Sequence, residues 1–336
     1  MTRGTYTMKN LKISSLALIL AVASGTALGS HAAMANLWSS GNAIAAGGSG
    51  GLGEVFNLTT GTEILSSLPT GTYIKSVAEL NANTLLLGND IGQVYELNQA
   101  GQVSLFATAS SAIPVASIQV DTAGNVFITA STYDSSIGYW QSTTGEYSSS
   151  GALTKTIATP AISGWYNVYT AISPNEGTLY GVWTSSGVQA LNLATQKVTV
   201  IPGVTSSMSI QGIAVEANGN LLVTSDNNYG YVYQINPVTG AVISEFVGTV
   251  PTAYGNLAIN QAGTGFWAIN NVGDANEYSL SNGGQMANYV EPVTLYGVAV
   301  IGATNAIAGA PEPASAALLV GMLGMLPLVK RRVMRG

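Results

Sequence analysis

A repeated unit runs along the middle of this chain, and no other feature narrows the fold as far. Its clearest copy is "GIAVEANGNLLVTSDNNYGYVYQINPVTGAVISEFVG", Gly212–Gly248. This reads as four strands, "GIAVE", "NLLVTS", "YVYQIN" and "AVISEFV". "ANGN", "DNNYG" and "NPVTG" separate them, rich in the residues that tolerate turn geometry. Looser copies start at Val77, Ile118, Thr170 and Leu257. The turn between the third and fourth strands recurs as "NLTTGT", "NQAGQ", "QSTTG", "NLATQ", "NPVTG" and "LSNGG". Turns of this kind every ~40–50 residues are the period of four-stranded propeller blades, so the pattern predicts an all-β, six-bladed β-propeller. Val232 and Gln234 alternate with Tyr231, Tyr233 and Ile235, which predicts half-buried sheets.

The repeat also predicts how the ring closes. "GVAVIGATNAIAGA" (Gly297–Ala310) aligns without a gap to "GIAVEANGNLLVTS" and lacks a third and fourth strand. "NAIAAGGSGGLGEVFNLTTGTEILSSL", near the other end, supplies a second, third and fourth strand. Together they complete one blade, which removes two open sheet edges. Both fragments contain a plausible second strand, and the sequence does not choose between them.

Charge excludes several functions. The body, Asn36–Ala310, holds three lysines, no arginine and no histidine against fifteen carboxylates, a net charge of −12. Such a surface repels phosphate, so nucleic acid is not an expected partner. With no cysteine in the chain and its one histidine at His31, the body lacks the groups for a histidine-based triad, a histidine-type zinc site or a phosphate clamp. A carboxylate pair could still cleave a glycosidic bond.

Both ends of the chain read as targeting segments. Lys9 and Lys12 precede the apolar run Leu16–Val22, and Ala33 and Ala35 frame a small-x-small cleavage pattern. This predicts a secretory signal peptide over 1–35. At the other end, Pro311-Glu312-Pro313 precedes the uncharged, mostly apolar Ala314–Val329 and then Lys330, Arg331, Arg332 and Arg335. As a helix that run reaches ~24 Å against a ~30 Å hydrocarbon core, a marginal span. The basic residues would stop it on the cytoplasmic side of an inner membrane.

The tripeptide, short apolar helix and basic end, in that order, resemble the PEP-CTERM sorting signal. Where that family often has Val before the first proline, this chain has Ala310. The resemblance implies a sorting segment over 311–336, handed to an exosortase-type membrane enzyme, in a Gram-negative bacterium that makes extracellular polysaccharide. It implies a body, 36–310, anchored in the inner membrane before processing and then exported to the cell surface or matrix. The Gly212 unit resembles NHL-type propeller repeats and, more loosely, lactonase-like propellers. Where NHL repeats commonly carry Arg after the paired Asn, this chain has Tyr229 after Asn227-Asn228.

Two sets of side chains are candidates for function. Asp90, Asp134, Asp226 and Asp274 fall in the turn after the second strand of four units. Sharing one end of the ring, they could gather oxygen ligands for Ca²⁺, but the commoner role of Asp in such turns is to bond nearby amides. No other cofactor is expected. Tyr139, Trp140 and Tyr229 lie in or near loops and offer flat, polar-tipped surfaces for sugar rings. "YWQSTTGEYSSSGALTK" (Tyr139–Lys155) is longer than its counterparts and reads as a binding loop or surface excursion. The favoured expectation is a non-enzymatic structural, adhesive or polysaccharide-binding propeller. The alternative is a carboxylate- or Ca²⁺-dependent lactonase or glycan-active enzyme.

Overall fold

In the computed structural model, residues 36–302 are described, except 49–50, 110–113, 137–138, 158–168, 185–186, 205–209, 226–230, 247–255 and 271. They belong to one compact unit that begins at Asn36. The described residues form six four-stranded antiparallel sheets and no helix, the architecture the repeat predicts. Blade 1 contains β1 (Ala43–Gly47), β2 (Glu54–Asn57) and β3 (Thr62–Leu65). Blade 2 is β4 (Ile74–Asn81), β5 (Thr84–Asn89), β6 (Gln93–Asn98) and β7 (Val103–Thr108). Blade 3 is β8 (Val115–Val120), β9 (Val126–Asp134), β10 (Tyr139–Tyr147) and β11 (Leu153–Ile157). Blade 4 is β12 (Thr170–Ile172), β13 (Thr178–Thr184), β14 (Gly187–Asn192) and β15 (Val198–Val200). Blade 5 is β16 (Ile210–Val215), β17 (Leu221–Ser225), β18 (Tyr231–Ile235) and β19 (Val242–Phe246). Blade 6 is β20 (Leu257–Ile259), β21 (Gly265–Ile269), β22 (Asp274–Ser279) and β23 (Gln285–Val290).

The last strand, β24 (Leu295–Val300), returns to blade 1 and becomes its innermost strand, in the order β24-β1-β2-β3. Among the described residues, the second strand of the shared blade is therefore β1, near the start of the chain. Its register runs from Ala43↔Val300 to Gly47↔Leu295. Main-chain bonds extend the clasp past the strands: Gly41 N donates to Ile301 O at 2.8 Å, and Ile301 N to Asn42 O at 2.9 Å. Trp38, only 2% exposed, packs into the core between blades 1 and 2 and donates its indole N–H to Ala82 O.

Both faces of a blade are buried, which corrects the half-buried reading. Val232 enters one interblade core, with Phe246 and Phe266, while Tyr233 and Ile235 enter the next, with Val188 and Ile213. Blades stack face to face around the ring, so each face meets a neighbour instead of water.

The third-to-fourth turns are built as the repeat suggests, with one correction. Asn98 Oδ1 accepts from the amides of Ala100 and Gln102, and Asn236 Oδ1 from those of Val238 and Thr239. These are Asx turns, in which a side chain stands in for a backbone carbonyl. In blade 3, however, "QSTTG" lies inside β10, and the turn is Ser148–Ala152, with Gly151 at φ +80°. The segment 139–155 is accordingly a strand, a tight turn and the start of β11, not a loop. Its extra length extends the β9–β10 hairpin. The two strands pair from Val126↔Tyr147 out to Asp134↔Tyr139, nine residues each.

Candidate functional site

Strand alternation gives the ring two ends. First-to-second and third-to-fourth turns emerge at one end, here the turn end. Second-to-third turns and blade crossovers emerge at the other, the crossover end. The inner strands β4, β8, β12, β16, β20 and β24 surround a central cavity of about 600 Å³. Glu79, Asp121 and Glu176 line it toward the turn end. These carboxylates are engaged in structure. Glu79 Oε2 accepts from Gly302 N at 2.6 Å, across blades 2 and 1. Asp121 accepts from the main-chain and side-chain N–H of Asn125, both at 2.7 Å. Glu176 Oε1 accepts from Thr122 N in the neighbouring blade. Burial pushes the Glu79 carboxyl above its ordinary value, only partly offset by the Gly302 amide.

The crossover end is different, and its chemistry comes from a recurring irregularity. Strands β4, β8, β16 and β24 each contain a bulge at the same register position. Lys75 is the residue skipped between Ile74 and Ser76, and Tyr296 the one skipped between Leu295 and Gly297. A bulge releases one residue from the ladder and re-aims its side chain. The residue after each bulge is small: Ser76, Ser117, Gly212 and Gly297. Those residues let inner strands of adjacent blades approach closely. Ser76 Oγ donates to Val115 O at 3.3 Å, Thr170 Oγ1 bonds Ser117 Oγ at 3.0 Å, and a Cβ on Gly297 would lie 2.8 Å from Val77 N.

The released side chains of blades 1 and 2 meet. Lys75 Nζ sits 3.5 Å from the centre of the Tyr296 ring and 5.4 Å from that of Tyr73. The two rings are edge to face, with centroids 6.4 Å apart. Asp90 closes the group. Its amide donates to Tyr73 O at 3.1 Å, and its charge is close enough to act on both Lys75 and Tyr296. Asn89 holds the Asp90 turn in shape, accepting from the amides of Ile91 and Gln93 and donating to Thr72 Oγ1. All four side chains are half-buried. Burial lowers the Lys75 ammonium pKa, and Asp90 pulls it part of the way back. Burial likewise raises the Tyr296 hydroxyl, with Tyr73 and Asp90 adding to it and a hydrogen bond with Thr294 opposing.

Two polar groups here have bonding capacity to spare. Asp90 Oδ1 is buried and accepts no hydrogen bond, and among the described residues Lys75 Nζ makes neither a hydrogen bond nor an ion pair. Aromatic rings, a cation and a carboxylate thus face one another with donors and acceptors unspent.

Of the residues singled out in the sequence, Asp90 stands in its expected turn and joins this group. Asp274 instead opens β22 and accepts from Asn270 Nδ2 at 2.9 Å, a turn-closing bond. Asp134 ends β9, paired with Tyr139, and Trp140 pairs with Tyr133 near the hairpin tip, at the crossover end. The side chains of Asp134, Tyr139 and Trp140, together with all of Asp226 and Tyr229, lie outside the described residues. So do the signal segment with Ala33 and Ala35, the Pro311-Glu312-Pro313 motif and the basic end from Lys330 to Arg335. Among the described residues, no three His, Cys, Asp or Glu side chains come together as a metal site, and no helix is long and apolar enough to cross a membrane. Tyr73, Lys75 and Tyr296 escaped the sequence reading. Lys75 and Tyr296 stand directly before the small residues Ser76 and Gly297, but Ala116 holds the same place before Ser117, so the position alone marks nothing.

Fold and closure define the class: a six-bladed β-propeller with one blade shared between the two ends of its body. Among solved structures it is similar to a Bacteroides caccae protein of unknown function, with a TM-score of 0.59 and 14% identity, covering 78% of this chain and 99% of that one. A streptogramin B lyase structure aligns with a TM-score of 0.48 and 14% identity over 66% of this chain and 69% of its own. At this identity the likeness is one of fold alone. No family model matches the chain, and no curated protein does.

Proposed function

We propose that this protein is an exported polysaccharide-binding or adhesive propeller of the cell surface or extracellular matrix. The observation that carries the reading is the crossover-end group of Tyr73, Lys75, Asp90 and Tyr296, which offers flat rings beside unspent polar groups. That is the equipment for holding a hydroxylated, partly apolar ligand. Tyr139 and Trp140 belong to the extended β9–β10 hairpin, whose tip lies at the same end of the ring. The competing reading, an acid- or Ca²⁺-dependent hydrolase, draws on Asp90 and Asp274, with Asp134 and Asp226 as further ligands. In the cavity, the hydrogen bonds of Glu79, Asp121 and Glu176 to neighbouring amides favour a structural role for those acids.

Delivery is part of the same proposal. The signal segment exports the body, and the Pro311-Glu312-Pro313 motif with its basic end hands it to an exosortase-type enzyme at the inner membrane. Purified protein is expected to be retained on immobilised matrix polysaccharide of the producing cell and to turn over neither lactones nor glycans, with or without Ca²⁺. Turnover without retention would move the assignment to the hydrolase. In cells, the double change Pro311→Ala, Pro313→Ala is expected to hold the protein in the inner-membrane fraction; unchanged release of the double variant would count against the sorting role.

A further inference from the structure

The crossover-end group holds a cation and a carboxylate that feel each other's charge but form no ion pair. Lys75 has three N–H donors and spends none of them on the described protein; neither carboxylate oxygen of Asp90 accepts a hydrogen bond there, and since Oδ1 is closed off, Oδ2 is the oxygen that can meet a guest. A buried acceptor left this way normally costs stability, and more when charged. The surroundings are nonetheless built to hold them. The Asp90 turn is fixed by Asn89 and tied to Tyr73 O, while Lys75 and Tyr296 are released by matching bulges on adjacent inner strands. An arrangement fixed by turns and bulges on rigid strands is preorganised for a guest.

The chemistry of the guest follows from what each group lacks. Lys75 needs an acceptor, Asp90 needs a donor, and the rings need an apolar face. A hydroxyl is both donor and acceptor, and two neighbouring hydroxyls on a sugar ring serve both charges at once. The C–H face of the same ring supplies apolar surface for tyrosine. A polyanion fits poorly, because Asp90 lies inside the group and the body carries a net charge of −12. Resting on the polysaccharide-binding reading above, we infer that Tyr73, Lys75, Asp90 and Tyr296 form a subsite for one ring of a neutral hexose polysaccharide, whose adjacent hydroxyls bridge Lys75 and Asp90.

The test uses the purified protein and neutral tetrasaccharides of gluco-, galacto- and manno-configuration, with a galacturonate tetramer as the anionic comparison, titrated by calorimetry. At least one neutral tetrasaccharide is expected to bind, and more tightly than the galacturonate. Lys75→Met, Asp90→Asn and Tyr296→Ala should each weaken it about tenfold or more, the loss of one charge-assisted bond or ring contact. Tyr296→Phe, which keeps the ring, should bind nearly as wild type. Lys155→Met, the same charge change on an outer strand, should leave affinity unchanged. A second readout needs no variant. The tetrasaccharide should slow reductive methylation of Lys75, followed by peptide mass, and leave Lys155 and Lys197 unaffected. Neutral sugar binding that ignores all three substitutions and does not protect Lys75 overturns this subsite but leaves the polysaccharide reading standing. Tighter binding of the galacturonate overturns the neutral assignment. No binding of any glycan by the wild-type protein overturns both.

Discussion

At the scale of single residues, the informative positions are those where this chain departs from its own repeat. Glycine occupies the left-handed position of the third-to-fourth turn at Gly61, Gly101, Gly151, Gly240 and Gly283, but blade 4 has Gln196 there, at φ +57°. A side chain in that conformation is strained by ~1 kcal/mol. Gln196→Gly is therefore expected to stabilise the protein by ~0.5–1 kcal/mol in denaturant unfolding. Glu54 departs in another way. Its Oε2 is buried without a partner, and burial, followed by the charges of Glu63 and Glu291, raises its carboxyl above the usual 4.5. The folded state then holds more protons than the unfolded state between 4.5 and the raised value. Stability attributable to Glu54 is full below 4.5 and falls as the pH rises through that window. Glu54→Gln should raise the melting temperature at neutral pH, and the difference should vanish below about pH 4.5. A gain that persists at low pH would assign the effect to packing. Lys75 has the opposite sign. Its ammonium is desolvated, so Lys75→Met should not lower the melting temperature, as expected of a group retained for binding.

At the scale of elements, the inner strands do most of the positioning. Their recurring small residue is the contact between blades, and the bulges of β4 and β24 release Lys75 and Tyr296 into the crossover-end group. The alternation of each unit does show which residues enter which face. It does not show a bulge, because one extra residue in a ladder leaves no mark until the partner strand is known. That is why Lys75 read as an ordinary strand residue. Gly297 tests the packing half of the argument. A Cβ there would lie 2.8 Å from Val77 N and 2.9 Å from Ser76 Cα. Backbone cannot swing aside as a side chain can, so Gly297→Val should cost at least ~2 kcal/mol. A denaturation midpoint within error of wild type would remove the close-approach account.

At the scale of the whole molecule, the clasp governs stability. Deleting Leu295–Val300 strips blade 1 of its inner strand and leaves the exposed edge of β1 facing the cavity. It also removes Val298 and Val300 from the core shared with blade 6. A large fall in the melting temperature is expected, with association of the variant through the open edge visible in its sedimentation. An unchanged melt would show that the ring holds without its clasp.

What the chain alone determined is whatever is local and repeated. Turn chemistry, four strands to a unit, six units and an end-to-end shared blade all follow from residue order, because Asn, Gly and alternating apolar positions act over a few residues. The net charge of −12 argues against phosphate ligands in the same way. Tertiary structure alone decided the rest. It chose β1 as the second strand of the shared blade, buried both faces of each sheet, and brought Tyr73, Lys75, Asp90 and Tyr296 together from two blades whose residues are over 200 positions apart in the chain. The physical reason is that ring closure sets the neighbours of an inner strand, and it depends on every blade at once.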